Sequence, residues 1–252
     1  MVIFTPWFNL RRKNDPAIDD SGLQRQKESL VAVYSKSGLV NCPEALEAFL
    51  RVPREKFLPD EQQKYAYIDQ PLPLMNTGQT ISAPHMTIMI LEYLKLFSSQ
   101  VDNTVSYPIN TILEIGAGCG YQAALIAEGL RSQESSFKIY SIEIVPKLAK
   151  FAEENLRKSG YDHEVQVVAG DGTLGLEEFA PFDRILLTAA GPQIPPPLVE
   201  QLRVGGILCM PLGGARFWQT MIRATKTDES GSLKTEDLSS VAFVPLRGEH
   251  GI

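Results

Sequence analysis

From residue 111 onward, short apolar runs alternate with amphipathic stretches, and this alternation restricts the chain to one class of architecture. Residues 111–115, 137–142, 165–168, 184–188 and 205–210 read as strands, because each is a brief apolar run bounded by turn residues. Residues 121–130, 148–158 and 195–203 carry apolar positions at helical spacing. Strands joined through helices run parallel, with right-handed crossovers, and the helices cover both faces of the sheet. Near the C-terminus, 219–224 and 240–244 are both strand-like, separated by a charged stretch over 225–237 with no helix in it. The pattern predicts an α/β fold: a doubly wound, mostly parallel sheet finished by an antiparallel hairpin.

The part before residue 111 reads differently. Leu23, Leu30, Val31 and Tyr34 place a helix over 22–37, ended by Gly38. Pro43 opens a second short helix to residue 50, with Leu46, Phe49 and Leu50 on one face. Pro53 and Pro59 forbid a continuous helix between them, and 60–80 reads as loop with brief structure. A third helix starts near Pro84, with Met86, Ile90, Leu91 and Leu94 as its buried stripe. Residues 98–110 are polar and read as a loop insertion. Residues 1–21 form a flexible arm: they lack periodicity, and their apolar-then-basic order is the reverse of a secretory signal. One domain is expected over 22–252, with a helical, substrate-cleft part at 22–97 and the sheet at 111–252.

Composition removes several function classes. With 44% apolar and 21% charged residues, the 252-residue chain is globular rather than collagen-like, disulfide-built or disordered. A net charge of -6 supplies no basic face for a phosphate backbone, so no nucleic-acid partner is expected. No apolar run approaches the ~20 residues of a membrane helix. Cys42, Cys119 and Cys209 are far apart and odd in number. Neither a metal site nor a disulfide framework follows, and a reducing, cytoplasmic setting does.

The strongest local signal is Glu114-Ile115-Gly116-Ala117-Gly118-Cys119-Gly120, after one strand and before a helix. Glycines there permit a sharp reversal and let a ligand approach the backbone, while the helix N-terminus offers N–H groups to a carboxylate or phosphate. Two nucleotide-type ligands fit. Glu-x-Gly-x-Gly-x-Gly suits S-adenosylmethionine, and Gly118-x-Gly120-x-x-Ala123 also matches the dinucleotide pattern. A purely structural turn is the plain alternative. Glu143, at the end of the second strand, can accept two hydrogen bonds from a ribose diol, or simply sit near a helix start. Asp171, in Gly170-Asp171-Gly172 after the third strand, can accept an adenine amine, or be only a turn residue.

The blocks Val52-Pro53-Arg54-Glu55-Lys56-Phe57 and Gly78-Gln79-Thr80-Ile81-Ser82-Ala83-Pro84-His85-Met86 resemble the protein-L-isoaspartate (D-aspartate) O-methyltransferase family. The resemblance continues through the glycine turn, Gly170-Asp171-Gly172, Ala180-Pro181-Phe182-Asp183, Thr188-Ala189-Ala190, Gly205-Gly206-Ile207-Leu208 and Phe243-Val244-Pro245-Leu246. It covers most of 22–247 in order. It implies a Rossmann-like methyltransferase fold and transfer of a methyl group from S-adenosylmethionine to the free α-carboxylate of L-isoaspartyl, and also D-aspartyl, residues in damaged proteins. S-adenosylhomocysteine is the product. The ester then closes to a succinimide unaided and partly reopens as normal aspartate. The implied partners are isoaspartyl proteins and peptides, with the enzyme a monomer.

A carboxylate is ionised at neutral pH (reference pKa about 3.9), so methylating it needs no general base, only alignment and exclusion of water. By the resemblance, Ser82 is the active-site serine, its hydroxyl holding one oxygen of the substrate carboxylate. It also precedes Pro84 and a helix, where serine caps occur. Gln79, Thr80, Ile81 and Thr87 are expected at the cofactor, with Glu114 attracting its ammonium or sulfonium charge. Gly116 and Gly118 let the cofactor pass, Glu143 takes the ribose, and Asp171 with Gly172 takes adenine. Thr188 and Ala189 border the peptide cleft, and Val244, Pro245 and Leu246 offer backbone groups to an extended substrate. His85 is assigned a structural role. The short segment after Leu246 leaves little chain to close the site. Two further readings stand beside this one. A nicotinamide-dependent oxidoreductase rests on the shifted glycine match but lacks a Tyr–Lys pair, and a non-catalytic relative would bind damaged proteins without turnover.

Overall fold

The computed structural model describes residues 19–97, 99, 108–133, 136–214 and 218–252. Most of the arm expected over 1–21, and most of the loop expected over 98–110, lies outside the described residues. Helix α1 (Asp20–Ser37) starts where the Asp19 carboxylate accepts the Gly22 amide at 2.8 Å, and it ends at Gly38 with φ 68°. α2 follows at Pro43–Arg51. Between Pro53 and the glycine-rich core lie two 3-10 turns, Arg54–Phe57 and Asp60–Tyr65. A small antiparallel pair, β1 (Leu72–Leu74) and β2 (Gln79–Ile81), comes next and delivers the chain to α3 (Pro84–Tyr93).

The main sheet is built from β3 (Thr111–Ile115), β4 (Lys138–Glu143), β5 (Val165–Ala169), β6 (Phe182–Leu187), β7 (Leu202–Leu212), β8 (Gln219–Lys226) and β9 (Leu233–Val241). Helices α4 (Tyr121–Arg131), α5 (Pro146–Lys158) and α6 (Pro196–Gln201) serve three of its crossovers. The order is β5-β4-β3-β6-β7-β8-β9, parallel from β5 through β7 and antiparallel from there to β9. This is the Rossmann-like arrangement expected. Alternation along β3 splits the core. Ile112 packs with the α2–α5 side, in the company of Leu125, Ile139 and Ile207, whereas Leu113 and Ile115 pack with Ile142, Ile185 and Leu198 of α6. Central β6 is buried at every position, as a strand covered on both faces must be.

Several boundaries shift by one or two residues from expectation, and two strands differ by more. β7 begins at Leu202, opposite Phe182, rather than at residue 205. The register then shifts before Arg184 pairs with Ile207, so Gly205 and Gly206 belong to an irregularity inside the strand. α6 is correspondingly shorter. The final strand is Leu233–Val241 rather than 240–244, because an edge strand has one open side and tolerates charge there. Arg223 and Glu236 face each other across β8 and β9 in an ion pair of 2.9 Å. Among the described residues, no helix is long and apolar enough to cross a membrane, and no group of three or more His, Cys, Asp or Glu side chains could hold a metal ion.

Candidate active site

Strand order reverses between β3 and β6, so the chains leaving their C-terminal ends part to opposite faces and open a crevice. Gly116 leaves β3 there with φ 98°, and a Cβ on it would lie 2.2 Å from the Thr188 hydroxyl oxygen. That hydroxyl shares its one proton between the carbonyls of Gly116 (2.8 Å) and Ile115 (3.1 Å), fastening the two strand ends. Gly172 is constrained by contact alone, since a Cβ would come 2.5 Å from Ile115 Cγ2.

Two adjoining cavities share the crevice, with Thr80, Gly116, Gly118, Thr188 and Val244 in the walls of both. The larger, of about 340 Å³, is also lined by Ile81, Ser82, His85 and Thr87. The smaller, of about 60 Å³, is lined by Gln79, Glu143, Gly172, Ala189, Pro245 and Leu246. Most of the expected site residues therefore meet around one crevice, although they come from six separate stretches of sequence.

Ser82 is not a helix cap. Ala83 holds the cap position of α3, no side chain caps the helix, and the Ser82 hydroxyl has no hydrogen-bond partner among the described residues. Its hydroxyl is available to the larger cavity. His85, on the first turn of α3, is tied down. Its Nδ1 lies 2.7 Å from Asp69 Oδ1, which also accepts the His85 amide at 3.2 Å. Thr87 lines the cavity but is buried, and its hydroxyl is spent on the Pro84 carbonyl at 2.8 Å.

Glu143 is held in place by backbone. One carboxylate oxygen accepts the Gly118 amide at 2.8 Å and the other the Val145 amide at 2.9 Å. Each oxygen retains one acceptor site, enough for the two hydroxyls of a diol. The turn's own N–H groups are largely engaged. Gly116 and Ala117 donate to the Ile142 carbonyl, Gly118 to Glu143 and Gly120 to the Ala117 carbonyl. The open anion seat expected at the turn thus shrinks to the first turn of α4.

Glu114 differs from expectation. It shares the Ile112 face of β3, is fully buried, and lines neither cavity. Ser141 Oγ donates to one of its oxygens. Burial pushes its carboxyl up to about 8, outweighing the Ser141 hydrogen bond that acts the other way. At neutral pH it is mostly protonated, so it offers the crevice no charge. Asp171 also lines neither cavity. Its oxygens accept from the Thr173 amide (2.8 Å), the Thr173 hydroxyl (2.7 Å) and the Glu249 amide (2.7 Å). Burial alone would raise the Asp171 carboxyl, but these hydrogen bonds outweigh it and hold it below the usual range. The segment after Leu246 accordingly lies against Asp171 and Thr173, and its Arg247 lines the smaller cavity.

The backbone of 244–246 is less open than expected. Ala190 donates to the Val244 carbonyl and accepts from the Leu246 amide, both at 2.8 Å, leaving the Val244 N–H and Pro245 carbonyl for a ligand. Ala189, Pro245 and Leu246 lie beside Glu143 rather than with Ser82.

The sequence profile of the family described as protein-L-isoaspartate(D-aspartate) O-methyltransferase matches residues 25–251. A protein-L-isoaspartate O-methyltransferase of Thermococcus sibiricus is 42% identical over 234 residues, 93% of this chain and 99% of that one. One from Staphylothermus marinus is 40% identical over 233 residues, covering 92% and 98%. The chain belongs to the protein-L-isoaspartate(D-aspartate) O-methyltransferase family. A solved structure of a protein-L-isoaspartate O-methyltransferase superposes with a TM-score of 0.73 at 27% identity, covering 89% of this chain and 67% of that one.

Membership in the isoaspartate methyltransferase family removes the nicotinamide reading of the shifted glycine match. Sequence reasoning missed several residues of the larger cavity: Met86, Tyr121, Gln122, Trp218 and Phe243. Tyr121 and Gln122 directly follow the glycine turn, so their place at the start of α4 was a usable signal. Trp218 and Phe243 flank the hairpin whose boundaries the apolar pattern misplaced.

Proposed function

We propose that this enzyme transfers a methyl group from S-adenosylmethionine to the free α-carboxylate of L-isoaspartyl, and also D-aspartyl, residues in damaged proteins, and that Ser82 orients that carboxylate. The observation that carries the residue assignment is the free Ser82 hydroxyl in a cavity that meets a Glu143-lined cavity at Gly116. The crevice suits the cofactor: Glu143 keeps two acceptor sites for a ribose diol, and Gly116 presents no side chain where the cavities join. Bound there, S-adenosylmethionine supplies a sulfonium-held methyl group whose bonding pair stays on sulfur, giving S-adenosylhomocysteine.

The chain's own residues do the rest by placement. The substrate carboxylate is already ionised, so no side chain has to remove a proton. The Ser82 hydroxyl donates to one carboxylate oxygen and turns the other toward the Gly116 junction. Ile81, Met86 and Phe243 give the larger cavity an apolar wall that keeps water from competing. Gly172 and the backbone beside Asp171 face the adenine end, with Asp171 acting through its turn. His85, fixed by Asp69, is wall and orientation rather than base. In this role the enzyme works as a cytoplasmic monomer on isoaspartyl proteins and peptides, without nucleic acid or membrane, and 22–252 serve as one methyltransferase domain.

Ser82→Ala tests the assignment. Losing the hydrogen bond that aims the carboxylate should lower kcat about ten- to a hundredfold. Affinity for S-adenosylhomocysteine should stay within about threefold, since Ser82 lies on the substrate side. An unchanged kcat would remove Ser82 from the mechanism.

A further inference from the structure

Arg54 is, with Arg184, the largest fully buried side chain among the described residues, at 0% exposure. Its Nε donates to the Ala66 carbonyl at 2.8 Å and its Nη2 to the Ser82 carbonyl at 2.7 Å. Nη1 has no partner, and no ion pair is formed with any Asp or Glu of the described residues. The acid nearest in sequence is already engaged, since Glu55 accepts the Tyr67 hydroxyl at 2.6 Å. The guanidinium carbon lies 5.1 Å from the Tyr121 ring centroid, and Tyr121 is part of the larger cavity's wall.

Arginine stays charged in any protein interior, and a buried charge is normally paired. This one is unneutralised and stands directly behind the residue that faces the substrate. We propose that Arg54 is a positioning residue for the substrate carboxylate: its guanidinium fork fixes the Ser82 backbone, and its unpaired charge attracts the anion to the Ser82 side of the cavity. The proposal rests on the Ser82 assignment above.

The two parts act on different constants. The fork sets where the Ser82 hydroxyl points, which governs alignment and therefore kcat. The charge favours the anionic ground state. The carboxylate loses negative charge as its oxygen bonds the methyl carbon, so the field is felt more in binding than in the transition state. Lysine keeps the charge but replaces the rigid Nε–Nη2 fork with one rotatable ammonium centre, which cannot reproduce its spacing; methionine keeps neither.

The test measures kcat, KM and equilibrium affinity for an isoaspartyl peptide in the presence of S-adenosylhomocysteine, for Arg54→Lys and Arg54→Met, each alone and with Ser82→Ala. Arg54→Lys should lower kcat about tenfold while peptide affinity stays within about threefold. Arg54→Met should in addition weaken the peptide about tenfold or more, with S-adenosylhomocysteine affinity held within about threefold. In the Ser82→Ala background, Arg54→Lys should change kcat less than about twofold. If Arg54→Met does not fold, the lysine variant and its cycle still decide. A slowed Ser82→Ala enzyme in which Arg54→Lys costs as much as in the wild type would overturn the inference, as would equal weakening of peptide and S-adenosylhomocysteine. Wild-type kcat in Ser82→Ala alone would instead remove the assignment beneath it, and needs no Arg54 variant to be seen.

Discussion

Replacing Gly116 with alanine should destabilise the unliganded protein through one identifiable contact. The residue has φ 98°, and its new Cβ would lie 2.2 Å from Thr188 Oγ1. Holding a side chain in that backbone region costs about 1–3 kcal/mol. The hydroxyl has to swing away and lose the hydrogen bond it shares between the Gly116 and Ile115 carbonyls, at about 0.5–1.5 kcal/mol. The sum is about 1.5–4.5 kcal/mol, large against the total stability of a domain. The backbone part and the contact part can be separated. With Thr188→Ala present, the nearest atom is gone, and Gly116→Ala should cost only the backbone part. With Thr188→Ser the oxygen remains and the full cost returns. Urea unfolding of the single and double variants, without cofactor, measures this. Coupling of about 1 kcal/mol between Gly116→Ala and Thr188→Ala, absent with Thr188→Ser, is expected. Additivity within about 0.5 kcal/mol would refute the reasoning.

Two further outcomes follow from the buried carboxylates. Glu114 keeps its proton in the folded protein up to about 8, against an ordinary value of 4.5. Between those values the unfolded chain gives up a proton that the folded one retains, so stability falls as pH rises through that window and levels off above it. Glu114→Gln should flatten that slope, by up to about 1.4 kcal/mol per pH unit in urea titrations; an unaltered slope would show that Glu114 is ionised in place. Glu143→Gln removes acceptor sites facing the smaller cavity and disturbs the Gly118 or Val145 contact. Calorimetry with S-adenosylhomocysteine should show affinity falling about tenfold or more, and a change under twofold would take Glu143 off the ribose.

The parts of the fold that the sequence made legible are those where local chemistry and tertiary setting agree. β3 runs over Thr111–Ile115 as expected because an apolar run stops at Gly116, and the strand is buried between β4 and β6. β9 escaped because its composition answers to an open edge; Lys234, Glu236 and Asp237 look like a turn until β8 is beside them. At the site, the glycine turn, Glu143 and the Gln79–Ser82 stretch were readable as motifs. Contact partners were not. The alternation along β3 assigns Glu114 to one face, but only the packed helices reveal that this face is sealed. His85 and Asp69 are sixteen residues apart and meet through α3's entry geometry. Arg54 could be named within a motif, yet nothing in a sequence marks an arginine as buried without a carboxylate partner. Nothing in the sequence past Leu246 signalled a contact, yet the Glu249 amide reaches Asp171, with Gly248 passing close beside it at φ 128°.

The central claim concerns which carboxyl group this enzyme recognises, and one comparison addresses it directly. Two peptides of identical sequence, differing only in whether one aspartyl residue is linked through its side chain or its main chain, are incubated with the enzyme and methyl-labelled S-adenosylmethionine. Base-labile label should accumulate on the isoaspartyl peptide and remain at background on the normal one. Equal labelling of both peptides, or S-adenosylhomocysteine binding with no label on either, would contradict the account.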